Sequence, residues 1–224
     1  MLIVEDIALL LTDDVSGRPT VSGTRLDLAL AGGLLQDLLD AGLVRISGPG
    51  EAVRAGRVVL TGASPTGDAL LDGGLSLLAG QRPATPQKVV TVLQKRLRGA
   101  VCERLAARGI LSLSQAKVLG IFPTARWPAV DSAHEARVRG ALRDVLVVGR
   151  TPTPLETSIV ALLHAVGQAT AVVPGGEVPR RELVRRAKTL AHGHVAGTAV
   201  ARAVADADSA SMNAVTMTTI AASG

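Results

Sequence analysis

Gln87-Lys88-Val89-Val90-Thr91-Val92-Leu93-Gln94-Lys95-Arg96-Leu97-Arg98-Gly99-Ala100-Val101-Cys102-Glu103-Arg104-Leu105-Ala106-Ala107-Arg108 is the stretch whose reading decides the fold. Val89, Leu93, Leu97, Val101 and Leu105 recur every fourth residue, which predicts one long helix with an apolar stripe turned to a core. At about 100° per residue, Lys88, Lys95 and Arg98 share a sector opposite that stripe. Small Gly99 and Cys102 leave the approach to the sector open. Three cations so grouped suit one multivalent anion, such as a phosphorylated headgroup. The competing reading is an amphipathic helix whose solvent face is merely basic.

Apolar spacing and glycine stops organise the rest of the chain. Leu2–Leu11 reads as a helix ending before the acidic turn Asp13-Asp14-Val15-Ser16-Gly17. Thr24–Ala41 reads as a second, stopped by Gly42, with Gly32-Gly33 marking close packing against another element. Leu43–Ile46 and Arg57–Leu60 predict a hairpin, Pro65–Ala79 a third helix, and Gln81–Pro86 a proline-broken linker. After Gly109, Ile110–Leu113 and Lys117–Phe122 predict a second hairpin, so helix, glycine stop and hairpin occur twice. His134–Val148, Leu155–Val166, Pro179–His192 and His194–Ala205 read as further helices. The expectation is a mainly α single domain, helices around a central helical bundle with short β-hairpins. It spans residues 1–207, with 208–224 a flexible C-terminal tail.

Composition narrows the class. The chain has 224 residues, 47% of them hydrophobic and 19% charged, enough to bury a core and too apolar for wholesale disorder. A single cysteine, Cys102, excludes an internal disulfide. Glu5 and Asp6 stand where an export signal needs basic residues, and no uncharged apolar run approaches the roughly 18 residues of a membrane span. A cytoplasmic protein is expected, with any membrane contact peripheral. There is no Tyr, one Phe and one Trp, so the core must be Leu, Val, Ile and Ala. The Ala, Gly, Val and Arg bias fits a GC-rich bacterial genome.

Charge is unevenly spread. Residues 1–79 hold ten acids against five bases, whereas residues 80–150 hold thirteen bases against four acids. A basic middle predicts an anionic partner, a phosphate backbone or an acidic lipid surface. The only Phe and the only Trp lie in Phe122-Pro123-Thr124-Ala125-Arg126-Trp127-Pro128, flanking the predicted hairpin tip. Their confinement there suggests an exposed apolar tip for a membrane or protein interface, against a small cluster that pins the hairpin down. No nucleophile elbow, phosphate-binding loop or zinc motif is present, and His192-Gly193-His194 lacks further ligands nearby. The residues offer no catalytic or metal site and imply no cofactor.

These pieces resemble the Golgi phosphoprotein 3 family. The matching segments are Leu2–Gly17, Leu30-Ala31-Gly32-Gly33-Leu34-Leu35 through Gly42, Pro65-Thr66-Gly67-Asp68-Ala69-Leu70-Leu71-Asp72, Val101–Leu111, Phe122–Pro128 and Ala161–Ala165. The resemblance implies a non-enzymatic peripheral membrane adaptor that binds phosphatidylinositol 4-phosphate or a related anionic phospholipid. It puts two headgroup-binding cations on Lys95 and Arg98, with Lys88 beside them. The family's aromatic and further cationic positions fall on Ser22 and Ala31, with Arg25 a substitute from the same loop. It also implies a hairpin at 119–127, with Ile121, Phe122, Arg126 and Trp127, for membrane contact or homo-oligomer formation, and membrane-protein tails as clients. Two rivals stand beside this reading. One is a winged-helix-like DNA-binding regulator, although Gln94 is the basic helix's only base-reading amide apart from Gln87 at its start. The other is a lipid-independent protein scaffold.

Overall fold

The computed structural model describes the chain except residues 63–64, 119–121, 174–175, 177 and 222–224, and describes side chains outside 116–124 and 212–224. It is mainly α, with two small antiparallel hairpins, and one hydrophobic core runs through it. Helix α1 spans Ile3–Leu10 and α2 spans Gly23–Asp40. Strands β1 (Val44–Ile46) and β2 (Val58–Leu60) pair antiparallel, and α3 (Ala69–Ala79) follows.

α2 is the central helix: α1, α3, α4, α5, α7 and α9 (residue ranges below) all pack on it. Leu28 to Leu35 are buried without interruption, as a helix surrounded by others requires. Gly32 and Gly33 make this possible. A Cβ on Gly32 would stand 2.3 Å from Val200 Cγ2, and one on Gly33 would stand 2.9 Å from the Val4 Cα. The close packing expected from the glycine pair is therefore present on two sides of α2. Asp37, one turn further on, accepts the Ile3 and Val4 N–H groups at 2.8 and 3.0 Å and so caps α1 from a neighbouring helix.

The long basic helix divides in two. α4 covers Pro86–Leu93 and α5 covers Leu97–Ala107, joined by a turn whose Arg96 is left-handed at φ 57°. The physical reason lies in the spacing itself. A four-residue repeat advances about 40° per step on an α-helix, so over Val89 to Leu105 a straight rod would swing its stripe roughly 160°. Breaking at 94–96 re-phases the two halves, and Val89, Val90 and Leu93 enter the same core as Leu97, Val101 and Leu105.

The second hairpin also differs from expectation. β3 is Ser114–Val118 and β4 is Phe122–Arg126, some four residues further along than predicted. Leu111, expected in a strand, is core, bridged to Ala129. Pro123 sits inside β4, which a two-stranded ribbon tolerates because both its strands are edges. α6 (Ala133–Arg143) runs into a π-turn at Asp144–Val148, and α7 (Pro154–Ala165) and α8 (Arg180–Ala191) follow. α9 spans Val195–Ala221, so helix continues across the 207/208 boundary.

Candidate functional site

The break between α4 and α5 builds a cationic edge on the bundle. With no glycine available, Arg96 takes the left-handed turn itself, and the reversal leaves Lys95 and Arg96 exposed. Neither side chain has an ion-pair partner among the described residues. Arg98, in the first turn of α5, reaches back to the start of α2. Its Nε donates to Asp27 Oδ1 at 2.8 Å and its Nη2 to the Gly23 carbonyl at 2.6 Å. The N-termini of α2 and α5 thus meet beside the C-terminus of α4, so that two positive dipole ends and one negative one join three cations.

Arg25 lies on the same end of α2, with its Nη2 2.8 Å from Asp208 on α9. Ser22 is the N-cap of α2, its hydroxyl accepting the Arg25 N–H. Lys95, Arg98 and Arg25 therefore belong to one end of the bundle, with Asp27 and Asp208 balancing part of their charge. The other expected members lie elsewhere. Ala31 is fully buried in the middle of α2 and lines no surface. Lys88 is in the first turn of α4, roughly 10 Å along the axis from Lys95. Cys102 does not open the approach to a basic sector: it is core, and burial pushes its thiol up to about 11. One continuous helix was the wrong frame for Lys88 and Cys102.

Ile121 lies outside the described residues, and so does the hairpin tip at 119–121. Phe122 pairs with Val118 through its backbone at the tip end of β4. Arg126 and Trp127 are at the other end, half-buried, and Trp127 packs on the core. That base is held by the acidic turn. The Trp127 N–H donates to the Gly17 carbonyl, Ala129 N–H to the Asp14 carbonyl, and Ser132 Oγ to Asp14 Oδ2. Gly17 has φ 63°, and a Cβ there would lie 2.4 Å from the Trp127 nitrogen.

Much of the basic middle is neutralised internally, a use that charge counting did not reveal. Glu5 is fully buried and holds Arg104 and Arg108 at 3.1 and 2.8 Å, while Arg104 also reaches Asp68 at 2.7 Å. Asp6, buried beside it, bonds His134 Nε2 at 2.6 Å, and desolvation raises its carboxyl above the usual range. Glu135 holds Arg139, and burial lifts its carboxyl to about 7. Asp37 is likewise raised to about 7 by burial, against its two backbone N–H donors. The pairing of Glu5 with Arg104 and Arg108, about a hundred residues apart, leaves no local trace in the sequence. His194 donates or accepts at Ser158 Oγ and receives the Gly197 N–H, a helix-end role, and burial lowers its imidazole.

Among the described residues no group of three His, Cys, Asp or Glu side chains is arranged for a metal, and no helix is long and apolar enough to cross a membrane. No curated protein matches the chain. The family model of Golgi phosphoprotein 3 (GPP34), a family not known for enzymatic activity, matches residues 3–207. That match covers nearly the whole chain, α1 through the first half of α9, and the protein belongs to the Golgi phosphoprotein 3 family.

Proposed function

We propose that this protein is a non-enzymatic adaptor that docks peripherally on the cytoplasmic face of a membrane. It would hold the headgroup of phosphatidylinositol 4-phosphate or a related anionic phospholipid at the Lys95–Arg98 edge. The observation that carries the reading is the α4–α5 break, which leaves Lys95 and Arg96 exposed and unpaired next to Arg98, where two helix N-termini converge. Arg98 serves by position: anchored on Asp27 and Gly23, it fixes the edge rather than swinging free. The 119–127 hairpin supplies membrane contact or self-association, and membrane-protein tails are the clients.

Ser22 and Ala31 carry neither an aromatic ring nor a cation, so binding follows total negative charge more than phosphate position. Each exposed cation near an acidic surface contributes about 1 kcal/mol, screened by salt. Flotation with vesicles of phosphatidylcholine containing phosphatidylinositol 4-phosphate or phosphatidylserine tests this. The Lys95→Glu/Arg96→Glu variant is expected to stay in the soluble fraction at low salt. Equal flotation by variant and wild type would remove the site.

A further inference from the structure

We propose a second anion site at the opposite end of α4, distinct from the Lys95–Arg98 edge and independent of the function proposed there. Arg54, Arg57, Arg82 and Lys88 line one open groove of about 670 Å³, with Val53, Gly80 and Pro83 in its walls. Four cations from three separate segments converge there, and no carboxylate lines the groove. Among the described residues none of the four side chains has an ion pair.

Nearby acids are committed elsewhere. Glu51, the only acid of the β1–β2 loop, is gripped by both Arg45 nitrogens at 2.8 and 2.7 Å. Asp206 on α9 accepts from Gln87, the neighbour of Lys88. The groove is also built rather than draped. Ser47 Oγ donates to the Arg54 carbonyl and accepts the Arg57 N–H, while the Val58 N–H donates to the Ala84 carbonyl, clamping the linker to β2. Arg54 and Arg57 are therefore anchored at their backbones before any ligand arrives, and the linker that carries Arg82 is held two residues on, at Ala84. Forked guanidiniums on a rigid frame suit oxygens carrying more than one charge.

The occupant is a multiply phosphorylated group, either a free polyphosphate-like metabolite or a lipid headgroup bearing several phosphates. Like charges gathered without counter-ions repel, so reversing two should leave the fold intact or slightly firmer while removing the ligand. That combination separates a binding site from a structural cluster.

The test is isothermal titration with inorganic tripolyphosphate at low salt, on wild type, Arg54→Glu/Arg82→Glu and Lys95→Glu/Arg96→Glu, with thermal melting alongside. The Lys95/Arg96 variant should keep tripolyphosphate binding that the further reversal Arg54→Glu/Arg82→Glu removes. The Arg54/Arg82 variant should bind at least about tenfold more weakly with an unchanged or raised melting temperature. Flotation on vesicles of phosphatidylcholine with phosphatidylinositol 4,5-bisphosphate then names the source. In the Lys95→Glu/Arg96→Glu background, so that the first edge holds no vesicle, loss on adding Arg54→Glu/Arg82→Glu assigns a lipid headgroup, and no loss assigns a soluble anion. Equal tripolyphosphate binding by wild type and the Arg54/Arg82 variant overturns the site. So does no binding by wild type, including the case where it takes up only single-stranded RNA.

Discussion

Replacing Gly33 by Ala should destabilise the protein although it inserts a better helix former into the middle of α2. The propensity gain is about 1 kcal/mol. Against it, the new methyl would stand 2.9 Å from Val4 Cα and 3.1 Å from Val4 N, where carbon contacts prefer about 3.5–4.0 Å. These are backbone atoms, so no rotamer change relieves the clash and α1 itself must retreat. Every residue of α1 is buried, and its first two N–H groups are held by the Asp37 carboxyl one turn along from Gly33. Overpacking costs about 1–3 kcal/mol, and stretching those two bonds adds about 1–2 kcal/mol more. The net loss is roughly 1–4 kcal/mol, a fall of roughly 2–16 °C in Tm for a chain of this size. Helical circular dichroism on heating measures it. Gly73→Ala in α3 and Gly140→Ala in α6 are the controls: both are exposed, nothing lies within 4 Å of the added methyl, and each should gain a fraction of a kcal/mol. A Gly33→Ala protein as stable as wild type would refute the packing argument.

Three further outcomes follow from single groups. Asp37 is raised from 3.8 to about 7, so its contribution is full below pH 3.8 and is lost as pH rises through about 7, roughly 4 kcal/mol in all. The stability of wild type relative to Asp37→Asn should therefore fall between about pH 4 and 7, read from urea midpoints, and a constant difference would count against the buried titration. Arg96→Gly should raise Tm by a few degrees, because glycine relieves the left-handed penalty of about 1–2 kcal/mol while costing less in chain entropy. A lower Tm would mean that the Arg96 side chain stabilises the turn. Trp127, half-buried and the only indole, should emit between the wavelengths of solvated and core tryptophan and move to the blue with anionic vesicles. An unmoved spectrum at saturating vesicles would keep the hairpin base out of the bilayer.

What the sequence made legible is what local chemistry controls. Gly42 and Gly109 end their helices at φ 67° and 72°, as their positions before each hairpin predicted. The Gly32-Gly33 pair announced its own close contacts. The α4–α5 break was hidden because no glycine or proline marks it; an arginine carries the left-handed residue, and the four-residue spacing disguised the change of phase. The β3–β4 shift was hidden because Pro123 argued against a strand that the structure nonetheless forms. Of the cationic edge proposed as the site, Lys95, Arg98 and Arg25 were singled out through charge and resemblance, whereas Arg96 was passed over because a regular helix gave it no special direction. Lys88 stands at the far end of α4 from Lys95, a separation that a helical wheel, which reports angle and ignores axial distance, does not show.

Cys102 turns the interior beneath the basic edge into something a chemist can time. The residue is 5% exposed and, with its thiol pushed up to about 11, carries about one thiolate per thousand at pH 8, against about one in four for a free cysteine. Alkylating reagents therefore meet almost no nucleophile until α5 lifts from the core. The lag before a maleimide or iodoacetamide adduct forms counts those excursions, one helical turn from Arg98 and on the same short helix. A ligand seated on Lys95, Arg96 and Arg98 would lengthen that lag without touching the sulfur, so the chain carries its own stopwatch for events at that edge.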